Sequence, residues 1–169
     1  MTIEEINELD QNGFIQKVGP VFENSPWIAR EAWPARPFES RDELLREFTT
    51  LVKKSGQRLQ LALIEAHPDL AGRLAEAGEL TEESSREQAA AGLDEIDRET
   101  KSSIREQNDI YREKFGFPFV ICARLNNPET ILSAFEERLK QNREEEIETA
   151  LGEIFKIAKL RLFDLLRGH

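Results

Sequence analysis

The sequence predicts an all-α fold, one compact multi-helix domain over residues 1–169, from three observations. Apolar residues recur at three- and four-residue spacing through most of the chain, as a buried helical stripe requires. Helix-start signals, a Ser, Thr, Asp or Asn ahead of an apolar run, recur from end to end. Only residues 117–125 read as strand-like, and no second run offers a pairing partner, so they are expected as an extended buried segment.

Thr2 with Glu5 forms a capping box ahead of Ile6 and Leu9. Asp10 caps a second short helix carrying Phe14 and Val18. Ser25-Pro26 reads as an N-cap followed by proline at the first helical position, opening a segment with Trp27 and Trp33. Pro34 and Pro37 then force a loop. Ser40 with Glu43 is another capping box, and Leu44, Leu45, Phe48, Leu51 and Val52 follow on one face. The next helix carries Leu59, Leu63 and Ala66 and ends at His67-Pro68, because proline disfavours helix in the residue before it.

Residues 76–86 are polar, with Thr81, Ser84 and Ser85 available as caps. Asp94 is expected to begin a long helix whose face holds Ile104, Asn108, Tyr111 and Phe115, with Gly116 as its C′ residue. Asn127-Pro128 opens a helix with Ile131, Leu132, Phe135 and Leu139, and a last helix runs from about Glu144 to Leu166. The Glu144-Glu145-Glu146 run reads as a solvated helix start that suits the helix dipole. No internal repeat or low-complexity linker is visible.

Composition narrows the function classes. The chain is 39% hydrophobic and 33% charged, enough for a real core under a heavily solvated surface. A net charge of −10 argues against nucleic acid and against anionic membrane surfaces. It does not argue against a small anionic substrate, which one arginine in a pocket can hold. The single cysteine, Cys122, lies in an apolar run and excludes an intramolecular disulfide, which points to a reducing, cytoplasmic compartment. Met1 to Glu5 is acidic and lacks the apolar core of a signal peptide, and Arg167-Gly168-His169 is not a peroxisomal ending. No run reaches the ~18 apolar residues of a membrane span.

Three places could carry chemistry. The chain has two histidines, one of them terminal, which leaves His67 as the imidazole acid or base; a core-edge histidine with a satisfied hydrogen bond is the alternative. The segment from Ser84 to Gln88 offers hydroxyls and helix-start N–H groups that suit an anion, with Glu87 expected in the first turn; Ser85 with Gln88 is equally a plain capping box. On the last helix Ile147, Leu151, Ile154, Ala158, Arg161 and Leu165 alternate by four and three, so Arg161 interrupts an apolar stripe. A guanidinium there needs a partner, protein or ligand, unless it snorkels from the helix end. One usable histidine and one apolar cysteine make no metal-ligand set, and the scattered glycines form no phosphate loop. Cys122 reads as a buried structural thiol rather than a nucleophile.

Three motifs occur in order: His67-Pro68-Asp69-Leu70-Ala71-Gly72-Arg73, then Ser84-x-x-Glu87-Gln88 with Ala91-Gly92-Leu93, then Tyr111-x-x-Lys114-Phe115-Gly116-Phe117-Pro118-Phe119-Val120. With Phe22-x-x-Ser25-x-Trp27 before them and the Arg161 helix after, essentially the whole chain resembles the 2-oxo-4-hydroxy-4-carboxy-5-ureidoimidazoline (OHCU) decarboxylases. The resemblance implies an all-α enzyme of urate breakdown that forms (S)-allantoin without cofactor or metal. It implies His67 as the catalytic acid, Glu87 as its orienting partner and Arg161 as the anion binder. Pro68, Ser84, Gln88, Phe119, Ile121 and Ala123 would line the pocket. It further implies a homodimer, and a domain that some bacteria fuse ahead of a urate oxidase. The competing readings are a non-catalytic helical adaptor and a same-fold enzyme acting on another ureido-heterocycle.

Overall fold

A computed structural model describes residues 1–72, 75 and 78–166. Arg73 of the first motif, part of the polar stretch after it, and the terminal Arg167-Gly168-His169 lie outside the described residues. Nine α-helices are formed among the described residues: α1 Ile3–Glu8, α2 Gln11–Val18, α3 Trp27–Ala32, α4 Arg41–Lys54, α5 Gln57–Glu65, α6 Glu82–Ala90, α7 Arg98–Phe115, α8 Pro128–Arg138 and α9 Arg143–Leu165. Short 3-10 turns occur at Gly19–Val21, Trp33–Ala35 and Ala123–Leu125. No strand forms among the described residues, so the all-α expectation holds. The chain divides into two compact units, one of Met1–Ala66 with the residues from Phe155 onward, the other of His67–Ile154.

In the first unit the caps act much as the sequence suggests. Thr2 accepts from Glu5 N while Glu5 accepts from Thr2 N, and Asp10 accepts from Gly13 N at 2.7 Å. Ser40 accepts from Glu43 N at 3.2 Å, but the Glu43 carboxylate reaches back to Glu39 N rather than to Ser40, so only half of that box forms. Ser25 does not cap α3: its hydroxyl donates to the Glu23 carbonyl at 2.9 Å, and Pro26 takes the N-cap position. The proline-rich loop is tied to α1, where Arg36 donates to the carbonyls of Asn7 and Leu9 that the helix end leaves open. Phe14, Phe22, Ile28, Leu44, Phe48 and Val52 form a fully buried core, with Phe22 set edge-on to Phe48 at 5.4 Å.

The second unit departs from expectation at four points. Helix α5 ends at Glu65, so His67 stands in the loop beyond it rather than on its last turn. Of the three cap candidates named from the sequence it is Thr81 that caps α6, accepting from Ser84 N at 3.2 Å. Ser85 is therefore inside the helix rather than at its start, and Glu87 lies beyond the first turn, which holds Glu82 and Glu83. Starting the helix earlier sets Ser84, Glu87 and Gln88 at i, i+3 and i+4, one face, and all three are buried. The long helix begins at Arg98 rather than at Asp94, because the chain turns through Gly92 at φ 81° and Asp97 supplies the cap to Thr100 N at 2.7 Å. That charge-assisted bond holds the Asp97 carboxyl below its usual range.

The fourth departure is Glu146. Glu144 and Glu145 are exposed as the solvated reading requires, but Glu146 is fully buried. It accepts from Arg138 Nε and, at 2.5 Å, from the Tyr111 hydroxyl. Burial, together with the bond to Glu146, pushes the Tyr111 phenol far above its usual range, so it stays a donor. Around this group Tyr111, Phe115, Phe117, Phe119 and Phe135 pack ring against ring, with Phe119 stacked on Phe135 at 3.8 Å.

Candidate active site

His67 opens a loop whose backbone is held by side chains. It is buried, at 7% exposure. Downstream, Asn108 Nδ2 of α7 donates to the Leu70 carbonyl at 2.9 Å. Arg105 Nε donates to the Ala71 carbonyl at 3.2 Å, and the Ala71 N–H donates to Gln88 Oε1 at 3.0 Å. Ala71 sits at φ 48°, a left-handed conformation uncommon for a residue with a side chain. Such an outlier persists only where its surroundings over-determine it, and these bonds supply that constraint. Gly72 cannot be larger without a shift, since a Cβ there would stand 2.9 Å from Asp69 Cβ. The His67-to-Gly72 motif is therefore a rigid loop built to hold one geometry.

Helix α6 links this loop to the 117–125 segment. Gln88 touches the loop, and α6 packs on the 3-10 turn Ala123–Leu125. Burial pushes the Cys122 thiol up, and the carboxylates of Glu153 and Glu87 add to that effect. A thiol so shifted is a poor nucleophile at neutral pH, as a structural cysteine should be. Ser84, Glu87, Gln88, Phe119, Ile121 and Ala123 are all buried, and Pro68 is half-buried. The second unit thus gathers the His67 loop, the polar face of α6 and the 119–123 segment.

Residues 117–122 form no regular structure, although no strand pairs with them. Buried backbone groups need partners, and side chains supply them. Arg138 Nη1 donates to the Val120 carbonyl at 2.5 Å, and the Cys122 N–H donates to Glu153 Oε1 at 3.3 Å. The Cys122 carbonyl accepts from Asn126 Nδ2 at 2.9 Å and from Leu125 N at 3.1 Å. The extended buried segment read from the sequence is therefore present over residues 117–122, pinned by α8 and α9, while its last residues, Ala123–Leu125, make a 3-10 turn instead and Leu125 is exposed.

Arg161 belongs to the first unit. Its Nη2 donates to Glu23 Oε2 at 2.9 Å and its Nη1 to the Pro20 carbonyl at 3.0 Å. Both side chains of the ion pair are almost fully buried, at 7% and 1% exposure. The stripe-breaking arginine does have a protein partner, and Glu23 was not among the residues the sequence singled out. Two more were missed, Arg138 and Glu146. The signal for Arg138 was the one that found Arg161: Ile131, Phe135 and Arg138 follow each other by four and three.

Among the described residues no three His, Cys, Asp or Glu side chains are grouped so as to hold a metal ion. A separate cleft lined by Glu95, Asp97, Asn127 and Glu129 contains none of the site residues, and its carboxylates disfavour an anionic ligand. None of the described helices is long and apolar enough to cross a membrane.

Gln88→Leu tests the rigidity of the loop. It leaves the buried Ala71 N–H without its acceptor, which costs about 1–3 kcal/mol. The expected result is a lower thermal midpoint together with reduced kcat/KM; a fall in the midpoint alone would separate Gln88 from the site.

The family model for OHCU decarboxylase matches residues 7–163. A 2-oxo-4-hydroxy-4-carboxy-5-ureidoimidazoline decarboxylase of Halalkalicoccus jeotgali is 41% identical over 165 residues, covering 98% of this chain and 92% of that protein. The decarboxylase of the same description from Mus musculus is 40% identical over 169 residues, covering 100% and 95%. A uric acid degradation bifunctional protein of Bacillus sp. (strain TB-90) is 36% identical, and there the match covers 99% of this chain but 32% of the longer protein. Among solved structures, OHCU decarboxylase in the presence of (S)-allantoin superposes with a TM-score of 0.70 at 25% identity, covering 86% of this chain and 94% of that one. The crystal structure of (S)-allantoin synthase gives a TM-score of 0.76 at 23% identity over 98% of this chain and 54% of that one, a likeness of fold. With the family model spanning nearly the whole sequence and relatives matched along almost their full length, this chain belongs to the OHCU decarboxylase family.

Proposed function

We propose that this chain decarboxylates 2-oxo-4-hydroxy-4-carboxy-5-ureidoimidazoline to (S)-allantoin in urate breakdown, with His67 as proton donor. The observation that carries the reading is the meeting, in one unit, of the His67 loop, the buried polar face of α6 and the segment that ends in the Ala123–Leu125 turn. Family membership removes the ground for the adaptor alternative.

The substrate can supply its own electron sink. Its carboxylate sits on a carbon next to a ring C=N bond. When the C–C bond to the carboxylate breaks, CO₂ leaves and the electron pair flows into that C=N, whose nitrogen takes a proton. The enol so formed takes a proton at the former imine carbon as its hydroxyl gives one up, and the carbonyl of allantoin results. The sum is one proton taken up and one CO₂ released. His67, oriented by Glu87, delivers the proton to one face of that carbon, which explains a single enantiomer. Pro68, Ser84 and Gln88 line the pocket, and backbone groups at Phe119, Ile121 and Ala123 read the planar ureido and ring-amide edges. By the family resemblance Arg161 is the anion binder, and its guanidinium is held by Glu23 and the Pro20 carbonyl. This chemistry needs no cofactor.

Glu87→Gln separates orientation from proton delivery. It keeps the volume, so the thermal midpoint should hold, while kcat falls by a smaller factor than in His67→Ala. An unchanged kcat would remove Glu87 from the mechanism. The reading as a whole is tested by CO₂ release from freshly generated substrate with and without protein: acceleration well above the spontaneous rate supports it, and the spontaneous rate alone contradicts it.

The 1–169 chain is taken to act as one catalytic domain, a reading supported by the span of the family match. The buried, unpaired Cys122 supports a cytoplasmic setting. A homodimer is expected from the family resemblance, with exposed Ile110 and Leu125 as available apolar contacts; sedimentation at micromolar concentration tests it. The bifunctional Bacillus relative supports functional association with urate oxidation.

A further inference from the structure

The Arg138–Glu146–Tyr111 group is costly. Arg138 is 6% exposed and Glu146 fully buried, inside a cluster of aromatic rings. Glu146 Oε2 has no hydrogen-bond partner among the described residues. Apolar residues of similar volume commonly replace such a pair without loss of stability, so stability alone does not account for it. What an apolar pair cannot do is hold a carbonyl. Arg138 uses its Nε for Glu146 and its Nη1 for Val120 O, with its Cζ 4.2 Å from the centroid of the Phe119 ring.

The consequence follows from peptide geometry. In a trans peptide the C=O of one residue and the N–H of the next point in opposite directions. Holding Val120 O with Arg138 therefore aims the Ile121 N–H the other way. Holding the Cys122 N–H with Glu153 likewise aims the Ile121 C=O away from α9. Neither group of Ile121 bonds to another described residue. One residue thus presents a fixed donor and a fixed acceptor, the complement of an amide or ureido edge that carries both.

We propose that Arg138, anchored by Glu146 and Tyr111, is a positioning residue for the reaction, fixing the peptide planes at 120–122 so that Ile121 presents its N–H and C=O to the planar edge of the substrate. The inference rests on the assignment of residues 119–123 to the substrate pocket. It involves no proton transfer, so its signature is in KM rather than in the pH profile of kcat.

The test compares wild type with Arg138→Met/Glu146→Leu, which removes both charges and fills the space, and with Arg138→Lys, which keeps a cation for Glu146 but gives up the fork. Thermal midpoint, KM, the pH profile of kcat and the backbone amide spectrum of residues 119–123 are read in each. The expected result is a folded double variant with KM raised about tenfold or more, the equivalent of about 1.4 kcal/mol. Its pH profile is unchanged and its amide shifts move at 120–122. Arg138→Lys should show a smaller change of the same kind, so a double variant that did not fold would still leave a readable protein. Wild-type KM in a folded variant, or unmoved 120–122 amides, overturns the inference. A wild-type protein without decarboxylase activity would instead overturn the functional reading, and the amide shifts would still decide the role of Arg138.

Discussion

His67→Ala lowers kcat by roughly 10²–10⁴-fold, the span that a positioned general acid contributes. Folding should survive. The loop beyond it is held by Asn108, Arg105 and Gln88 through its backbone. Spontaneous decarboxylation continues, so the residual signal is a slow background and its product is racemic. KM should change little, because carboxylate and ureido recognition are assigned to other groups. A variant retaining more than half of the wild-type rate would end the proton-donor role. Steady-state kinetics with a thermal melt on the same preparation reads both quantities.

Arg161→Ala is expected to act twice. The first effect is on affinity: loss of the carboxylate anchor raises KM. The second follows from the ion pair to Glu23, which is 1% exposed in its side chain. Removing one partner takes the guanidinium away from a buried carboxylate, at a cost of about 3–5 kcal/mol. The Pro20 carbonyl loses its donor as well. Stability and affinity can be separated by adding Glu23→Gln, which neutralises the buried charge. Arg161→Ala/Glu23→Gln should recover most of the thermal midpoint and none of the KM. Recovery of both would make Arg161 a structural residue only, and an unchanged KM in the single variant would sink the anion-binding assignment.

The helical architecture was legible because caps and stripes are local signals. Thr2, Asp10, Ser40 and Asn127 all cap where the sequence places them. Boundaries failed where two capping candidates compete within a few residues. Thr81 precedes Ser84 and Ser85 and wins, and Asp97 wins over Asp94 once Gly92 has turned the chain. His67 was legible by elimination and by motif, and 117–125 by its lack of a partner strand. Glu146 was not, because its neighbours Glu144 and Glu145 belong to the solvated surface that the run suggested. Its burial depends on Arg138 and Tyr111, 8 and 35 residues away in sequence. Pairings at that range are set by helix packing, which no local pattern encodes. The pairing of Arg161 with Glu23, 138 residues apart, was hidden for the same reason.

The most direct measurement is circular dichroism of substrate generated in place from urate by urate oxidase and hydroxyisourate hydrolase, followed with wild-type protein, with His67→Ala and with neither. The account predicts fast growth of the (S)-allantoin signal with wild type, and with His67→Ala only the slow, racemic course of the protein-free sample. Slow racemic allantoin in all three samples would contradict it.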